Sequence, residues 1–187
     1  MKRLIPFMLL LIVFVSGCSE PLERGKQVRE FTFTDQHNQP FSSKELSGSP
    51  WIADFIFTNC TTVCPTLTSE MAKLQAELKA RDIEMNFISF SVDPESDTPA
   101  VLKDYISNFT DDESNWHLLT GYTQLEFEAF AREEFQTFVL KHESSTQVVH
   151  GTNFYLLDSE GYILKEYNFS NESYKEELLA DLKRMKK

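Results

Sequence analysis

Cysteine is scarce: three in 187 residues. That is too few for a disulfide-stapled scaffold, and an iron–sulfur cluster draws on more thiolates than remain after the first cysteine is accounted for. Positive charge is also short. Eighteen Lys and Arg stand against 29 Asp and Glu, a net charge of −11, and no basic stretch is interleaved with aromatics, which excludes nucleic acid as a partner. The one long apolar run, residues 4–15, falls well short of the ~20 residues that a membrane-spanning helix needs. There is no internal repeat and no low-complexity tract. Hydrophobic residues at 41% and aromatics at 13% fit one ordinary globular domain with a sizeable core. The sixteen Phe suit half-buried strands.

What is present begins with a leader. Lys2 and Arg3 precede the apolar run, as in a secretory signal. Val15-Ser16-Gly17-Cys18 then resembles a bacterial lipobox, where cleavage precedes the cysteine and its sulfur takes a diacylglyceryl group. Val in the first position is a tolerated departure from the commoner Leu. The alternative is an ordinary signal peptide with a coincidental cysteine. On the lipobox reading, residues 1–17 are a lipoprotein signal peptide, Cys18 is the lipidation site, the polar stretch 18–28 is a tether, and 29–187 is the domain. Two acyl chains give stable anchoring. The expected location is the extracytoplasmic side of a bacterial cell membrane, with the domain monomeric.

Cys60 and Cys64 then remain, in Thr58-Asn59-Cys60-Thr61-Thr62-Val63-Cys64-Pro65. Outside the cytoplasm a pair usually means a disulfide. Closing so small a loop gains little chain entropy, however, so chemistry explains the spacing better than stapling does.

The rest of the chain reads as alternating elements. Phe31 and Phe33, followed by the turn His37-Asn38-Gln39, predict an N-terminal β-hairpin. Residues 51–57 form a nearly continuous apolar run, the pattern of a buried central strand. Pro65 suits a first helical position, and Leu67, Met71, Leu74 and Leu78 follow at helical spacing. Residues 85–92 read as a second buried strand and 93–99 as a loop. A helix starts at Pro99, capped by Asp97 or Thr98. A strand at 116–120, a helix at 123–134, an extended stretch at 135–140, a hairpin at 153–167 and a closing helix at 174–185 complete the chain. The order predicts an α/β fold with a central mixed sheet flanked by helices. This is the thioredoxin-like arrangement, enlarged by an N-terminal β-hairpin and an inserted helical region.

In that layout Cys60 lies just past a central strand and Cys64 at a helix start, where open α/β sheets bind ligands. Free helix N–H groups favour thiolates there, so both sulfurs are expected to be low in pKa, partly exposed and close together. Of the four histidines, His37 falls in a turn, His117 starts a strand and His142 sits in a polar loop. His150 precedes the strand expected to pair beside the cysteine-bearing one, and it is the candidate third donor. Dithiol oxidoreductases of this fold carry a cis-proline at that place, whereas Val148-Val149-His150-Gly151-Thr152 contains none. Those enzymes also have one residue fewer between their cysteines. Two sulfurs and an imidazole suit Cu(I) or Cu(II); zinc with an added water is chemically possible too.

Three motifs in order (TNCTTVCP after FIF, SVDPESDTP after the next strand, and VVHGTNFYLLDSEG near the end) resemble the Sco/SenC family over roughly residues 28–185. The resemblance implies a membrane-tethered, thioredoxin-like, copper-binding assembly factor rather than an enzyme. Its implied partner is cytochrome c oxidase, at the dinuclear copper site of subunit II. It makes Cys60, Cys64 and His150 copper ligands. It makes Asp93 the acidic residue of the DPE-x-DTP loop, linked to metal loading or partner interaction, where the plain reading is a turn former. Glu95 and Asp97 read as loop and cap residues. Two other readings stand beside this one. One is a thiol–disulfide reductase that keeps the oxidase's copper-site cysteines reduced through a redox-active Cys60–Cys64 pair. The other, ranked lower, is a peroxidase of the same fold, which would want an Arg near its cysteine.

Overall fold

Strand–helix–strand units build parallel sheets, because a crossover helix returns the chain to the same end. The elements are β1 (Thr32–Thr34), β2 (Pro40–Ser42), β3 (Trp51–Ile56), α1 (Cys64–Ala80), β4 (Asn86–Ser91), α2 (Pro99–Ile106) and β5 (Trp116–Leu119). They continue with α3 (Gln124–Glu134), β6 (Val139–Lys141), β7 (Val148–His150), β8 (Asn153–Leu157), β9 (Ile163–Asn168) and α4 (Tyr174–Met185). This computed structural model describes residues 21–142 and 145–185. The leader, the lipobox motif and Cys18 lie outside the described residues.

The main sheet has the order β5-β4-β3-β8-β9. Strands β3, β4 and β5 run parallel, and β8 and β9 are antiparallel. The expected α/β architecture is therefore observed, with β3 at the centre and buried along its whole length. Side chains alternate across the sheet, which splits the core in two. Ile52, Ile56 and Phe87 pack against Leu67, Met71 and Leu74 of α1 and Leu178 and Leu182 of α4. Ala53, Phe55, Ile88 and Phe90 pack against Phe31 and the α3 residues Phe127 and Phe130. The phenylalanine excess is concentrated on this second face. Phe90 lies between 5.5 and 6.3 Å, ring centre to ring centre, from Phe31, Phe33, Phe55, Phe127, Phe130 and Phe135.

Three local readings change. The extended stretch expected at 135–140 shortens to β6, because Phe135 closes α3 and Gln136 takes a positive φ of 52°. Among the described residues β6 pairs only with β7, in the register Val139↔His150 and Lys141↔Val148, forming a separate two-stranded ribbon. The cap of α2 is Thr98, which accepts the Val101 N–H; Asp97 is not the cap. Finally, part of the stretch read as tether lies against the sheet. Gly25 and Lys26 exchange backbone hydrogen bonds with Ile163, and Val28 donates to Gly161. Arg24 adds ion pairs to Asp158 and Glu160. This segment joins at the β8–β9 turn, the end of the sheet opposite the cysteine loop.

Because Phe90 joins hairpin, sheet and α3, Phe90→Ala is expected to lower the unfolding free energy by about 3–5 kcal/mol in denaturant titration. A loss under ~1 kcal/mol would show that the aromatic cluster is not the second core.

Candidate metal centre

The loop that leaves β3 turns back on itself. The Cys60 N–H donates to the Phe57 carbonyl at 3.3 Å, and α1 then begins at Cys64 without a side-chain cap. In place of a cap, the Cys64 N–H donates to Cys60 Sγ at 3.4 Å, and Thr62 Oγ1 lies 3.6 Å from the same sulfur. The helix start thus spends a free N–H on one sulfur. Burial disfavours the Cys60 thiolate, but hydrogen bonds from Cys64 and Thr62 outweigh it and bring the thiol down to about 7.

Cys64 goes the other way. It is fully buried, and burial, followed by its hydrogen bond to Cys60, pushes its pKa well above the ordinary thiol value. The expectation of two similar, low-pKa, partly exposed sulfurs is therefore corrected. The pair consists of a thiolate-prone Cys60 and a protonated Cys64, both free and both buried.

His150 completes the group. Its Nε2 lies 3.6 Å from Cys64 Sγ, and its Nδ1 lies 2.8 Å from the Gly151 carbonyl. A carbonyl only accepts, so Nδ1 carries the proton and the Nε2 lone pair faces the sulfur. Burial lowers the His150 pKa, with the Gly151 carbonyl opposing, so the ring is neutral near pH 7. The Phe57 ring stands edge-on to it at 5.7 Å. Among the described residues, no three His, Cys, Asp or Glu side chains converge into a closed metal cage. The two thiols and the imidazole are neighbours that small movements would assemble. As a donor set they fit a soft, thiophilic metal.

The supporting shell comes from the 91–97 segment and the ribbon. Asp97 is buried and bridges the exits of β3 and β4. It accepts from Thr58 Oγ1 at 2.5 Å and the Thr58 N–H at 3.2 Å, and from Ser91 Oγ at 2.6 Å. Burial raises its pKa despite these donors. The Asp93 carboxylate, 1% exposed, pairs with Lys141 Nζ at 2.6 Å, and Lys141 also reaches Glu95 at 2.8 Å. The Asp93 carbonyl makes the turn by accepting the Ser96 and Asp97 N–H groups. The other histidines are elsewhere. His37 is exposed beside Glu113, His117 packs on Phe41, and His142 is exposed in its loop.

Sequence reasoning missed two residues. Asp54, in the middle of β3, is fully buried, and among the described residues neither carboxylate oxygen has a partner within hydrogen-bonding geometry. Burial pushes its pKa up to about 7, with its register partner Ser89 opposing. The charge of Asp54 also adds to the upward pressure on Cys64. A lone acid in the run WIADFIF was the available signal. Lys141 had none, since its role depends on the ribbon register.

Comparison with known proteins gives a consistent result. The SCO1/SenC family description matches residues 19–187. The SCO1 protein homolog of Bacillus subtilis (strain 168) is 41% identical over 179 residues, covering 93% of this chain and 92% of that protein. The crystal structure of a SCO1/SenC family lipoprotein from Bacillus anthracis str. Ames superposes with a TM-score of 0.83 at 45% identity, covering 87% of this chain and 96% of that one. BsSco, a member of the Sco family of cytochrome c oxidase assembly proteins with a disulfide switch, gives 0.79 at 41%, covering 88% and 97%. Bradyrhizobium japonicum ScoI with copper bound gives 0.66 at 32%, covering 84% and 98%.

The thiol asymmetry predicts that metal-free, reduced protein alkylates at Cys60 first, with a midpoint near pH 7. Mass spectrometry of the labelled peptide reads this; equal labelling of both cysteines with a midpoint near 9 would contradict it. The Asp54 shift has a defined sign. Its folded pKa is raised from 3.8 to about 7, so it favours the fold below about pH 4 and loses that contribution as pH rises toward 7. Relative to Asp54→Asn, the parent should lose up to ~1.4 kcal/mol per pH unit across that window. Parallel stability profiles for the two proteins would refute the shift.

Proposed function

This chain belongs to the SCO1/SenC family, and on that footing we propose that it binds copper through Cys60, Cys64 and His150 and assists copper insertion into cytochrome c oxidase. The proposed target is the dinuclear copper site of subunit II, approached from a lipid anchor on Cys18 at the outer face of a bacterial cell membrane. The observation that carries the reading is the alignment of the His150 Nε2 lone pair on Cys64 Sγ, 3.6 Å away, with Nδ1–H fixed on a carbonyl. Thiolate sulfur and neutral imidazole together satisfy Cu(I) and Cu(II). Cys60 is the sulfur poised to capture the metal near neutral pH, and Cys64 gives up its proton on coordination, so binding releases protons. Asp93 acts through Lys141 and not on the metal.

The same asymmetry favours a second reading, thiol–disulfide exchange. A Cys60 thiolate attacks a target disulfide sulfur and releases one target thiolate. Cys64, losing its proton to the adjacent His150 nitrogen, then displaces the second, leaving a Cys60–Cys64 disulfide and a reduced target. This serves the same destination, since a copper site built from cysteines accepts metal only when reduced.

Copper titration of the full chain separates the two. Cys60→Ala and Cys64→Ala should abolish the thiolate-to-copper absorbance, and His150→Ala should weaken binding by at least the ~10–100-fold typical of losing a supporting contact. Copper affinity unaffected by His150→Ala would remove the imidazole from the site. Disulfide reduction that persists in His150→Ala, with copper binding lost, would establish exchange as the activity.

A further inference from the structure

The ribbon that carries His150 is not part of the main sheet. Among the described residues β6 and β7 pair with each other alone. At its base Gly151 packs so closely on Thr137 that any side chain would collide, and Val139 and Val148 face the core. Its other face, with Phe138, Leu140 and Val149, is exposed. Near the tip, opposite Val148, Lys141 leaves the ribbon and crosses to the buried Asp93 carboxylate and to Glu95. Asp93 opens the segment whose Asp97 holds Thr58, two residues before Cys60. The ribbon, acidic loop and cysteine loop are therefore one connected unit, closed by an ion pair that is 1% exposed on one side and 16% on the other. The Lys141 amide also donates to Glu128, and Gln147 reaches the Asn59 carbonyl, but neither neutralises Asp93.

We infer that Lys141 is a positioning residue for the metal site: its ion pair with Asp93 latches the β6–β7 ribbon and so sets how closely His150 approaches the dithiol. The inference rests on the metal-site reading of Cys60, Cys64 and His150. The physical basis is the cost of an unpaired buried charge. Without Lys141, Asp93 must gain water, and the readiest route is separation of the ribbon tip from the acidic loop. The three donors do not form a finished cage, so the ribbon's position decides whether imidazole joins the two sulfurs. Glu95 is exposed and screened, and it contributes little.

The test uses the full chain with Lys141→Met, Lys141→Arg and the double variant Asp93→Asn/Lys141→Met, which keeps the buried site neutral should the single variant fold poorly. Nitrogen NMR of the His150 ring in metal-free protein reports the Nδ1–H tautomer and the Nε2 contact without copper; copper titration is run in parallel. Lys141→Met should shift the Nε2 signal and weaken copper binding about tenfold, and Lys141→Arg should restore both; the double variant, which loses the latch but leaves no unpaired charge, should move both in the same direction by less. Glu95→Gln should leave both unchanged. Ring signals and copper affinity that match the parent, with only a lowered melting temperature, would reduce Lys141 to a structural role and overturn the inference. If the parent binds no copper yet the ring signals respond and Arg rescues them, the latch stands and the metal reading falls.

Discussion

The site depends on keeping two neighbouring strand exits together. Strands β3 and β4 leave the sheet side by side, one into the cysteine loop and the other into the acidic loop. One buried carboxylate, Asp97, spans the gap with hydrogen bonds from Thr58 and Ser91. Among the described residues only neutral donors reach it, and the nearby Asp93 charge adds to its burden. A buried carboxylate held this way is costly to disturb, because losing either set of donors leaves it unsatisfied. That cost is what makes the cysteine loop's position a property of the fold instead of a property of the loop.

Polarisation of the dithiol follows from the same placement. The first free N–H of α1 points at the sulfur four residues earlier, so the helix start stabilises charge on Cys60. Cys64 is itself in the first turn, gives its own N–H away and points inward near Asp54, so its proton is held. One helix end thereby produces two unlike thiols. Metal capture and disulfide exchange share this division of labour, which is why both readings use the same atoms.

Much of this was legible in the sequence. Strand and helix placement followed from apolar runs and 3.6-residue spacing, and the pairing of β8 beside β3 was expected from the thioredoxin-like layout. Cys60, Cys64 and His150 were singled out because strand ends and helix starts locate ligand sites in α/β sheets, and the structure makes them neighbours. The likeness of the two thiols was misjudged, since spacing says nothing of which sulfur receives the N–H. The cap of α2 was left between Asp97 and Thr98 because both residue types cap and they sit side by side; Thr98 is the one because Asp97 is engaged by Thr58 and Ser91. Asp93's partner was out of reach because Lys141 arrives from a ribbon 48 residues away. Residues 24–28 looked like linker because their contacts, backbone hydrogen bonds to Gly161 and Ile163 and the Arg24 ion pairs to Asp158 and Glu160, are long-range and composition does not record them.

That edge pairing fixes a direction. The chain comes onto the sheet at the β8–β9 turn, and the dithiol emerges at the far end of β3, whose six residues span ~20 Å. Leu22 packs against the core as well, so the chain is held to the domain even before the edge pairing begins. Were Cys18 lipidated, as proposed, a domain anchored so close to its own first contacts would hold its reactive pole outward over a narrow range of heights. It would then sample a shell above the bilayer, not the whole aqueous volume. If its counterpart is the membrane-seated oxidase proposed above, that would reduce a three-dimensional search to lateral diffusion at a preset altitude.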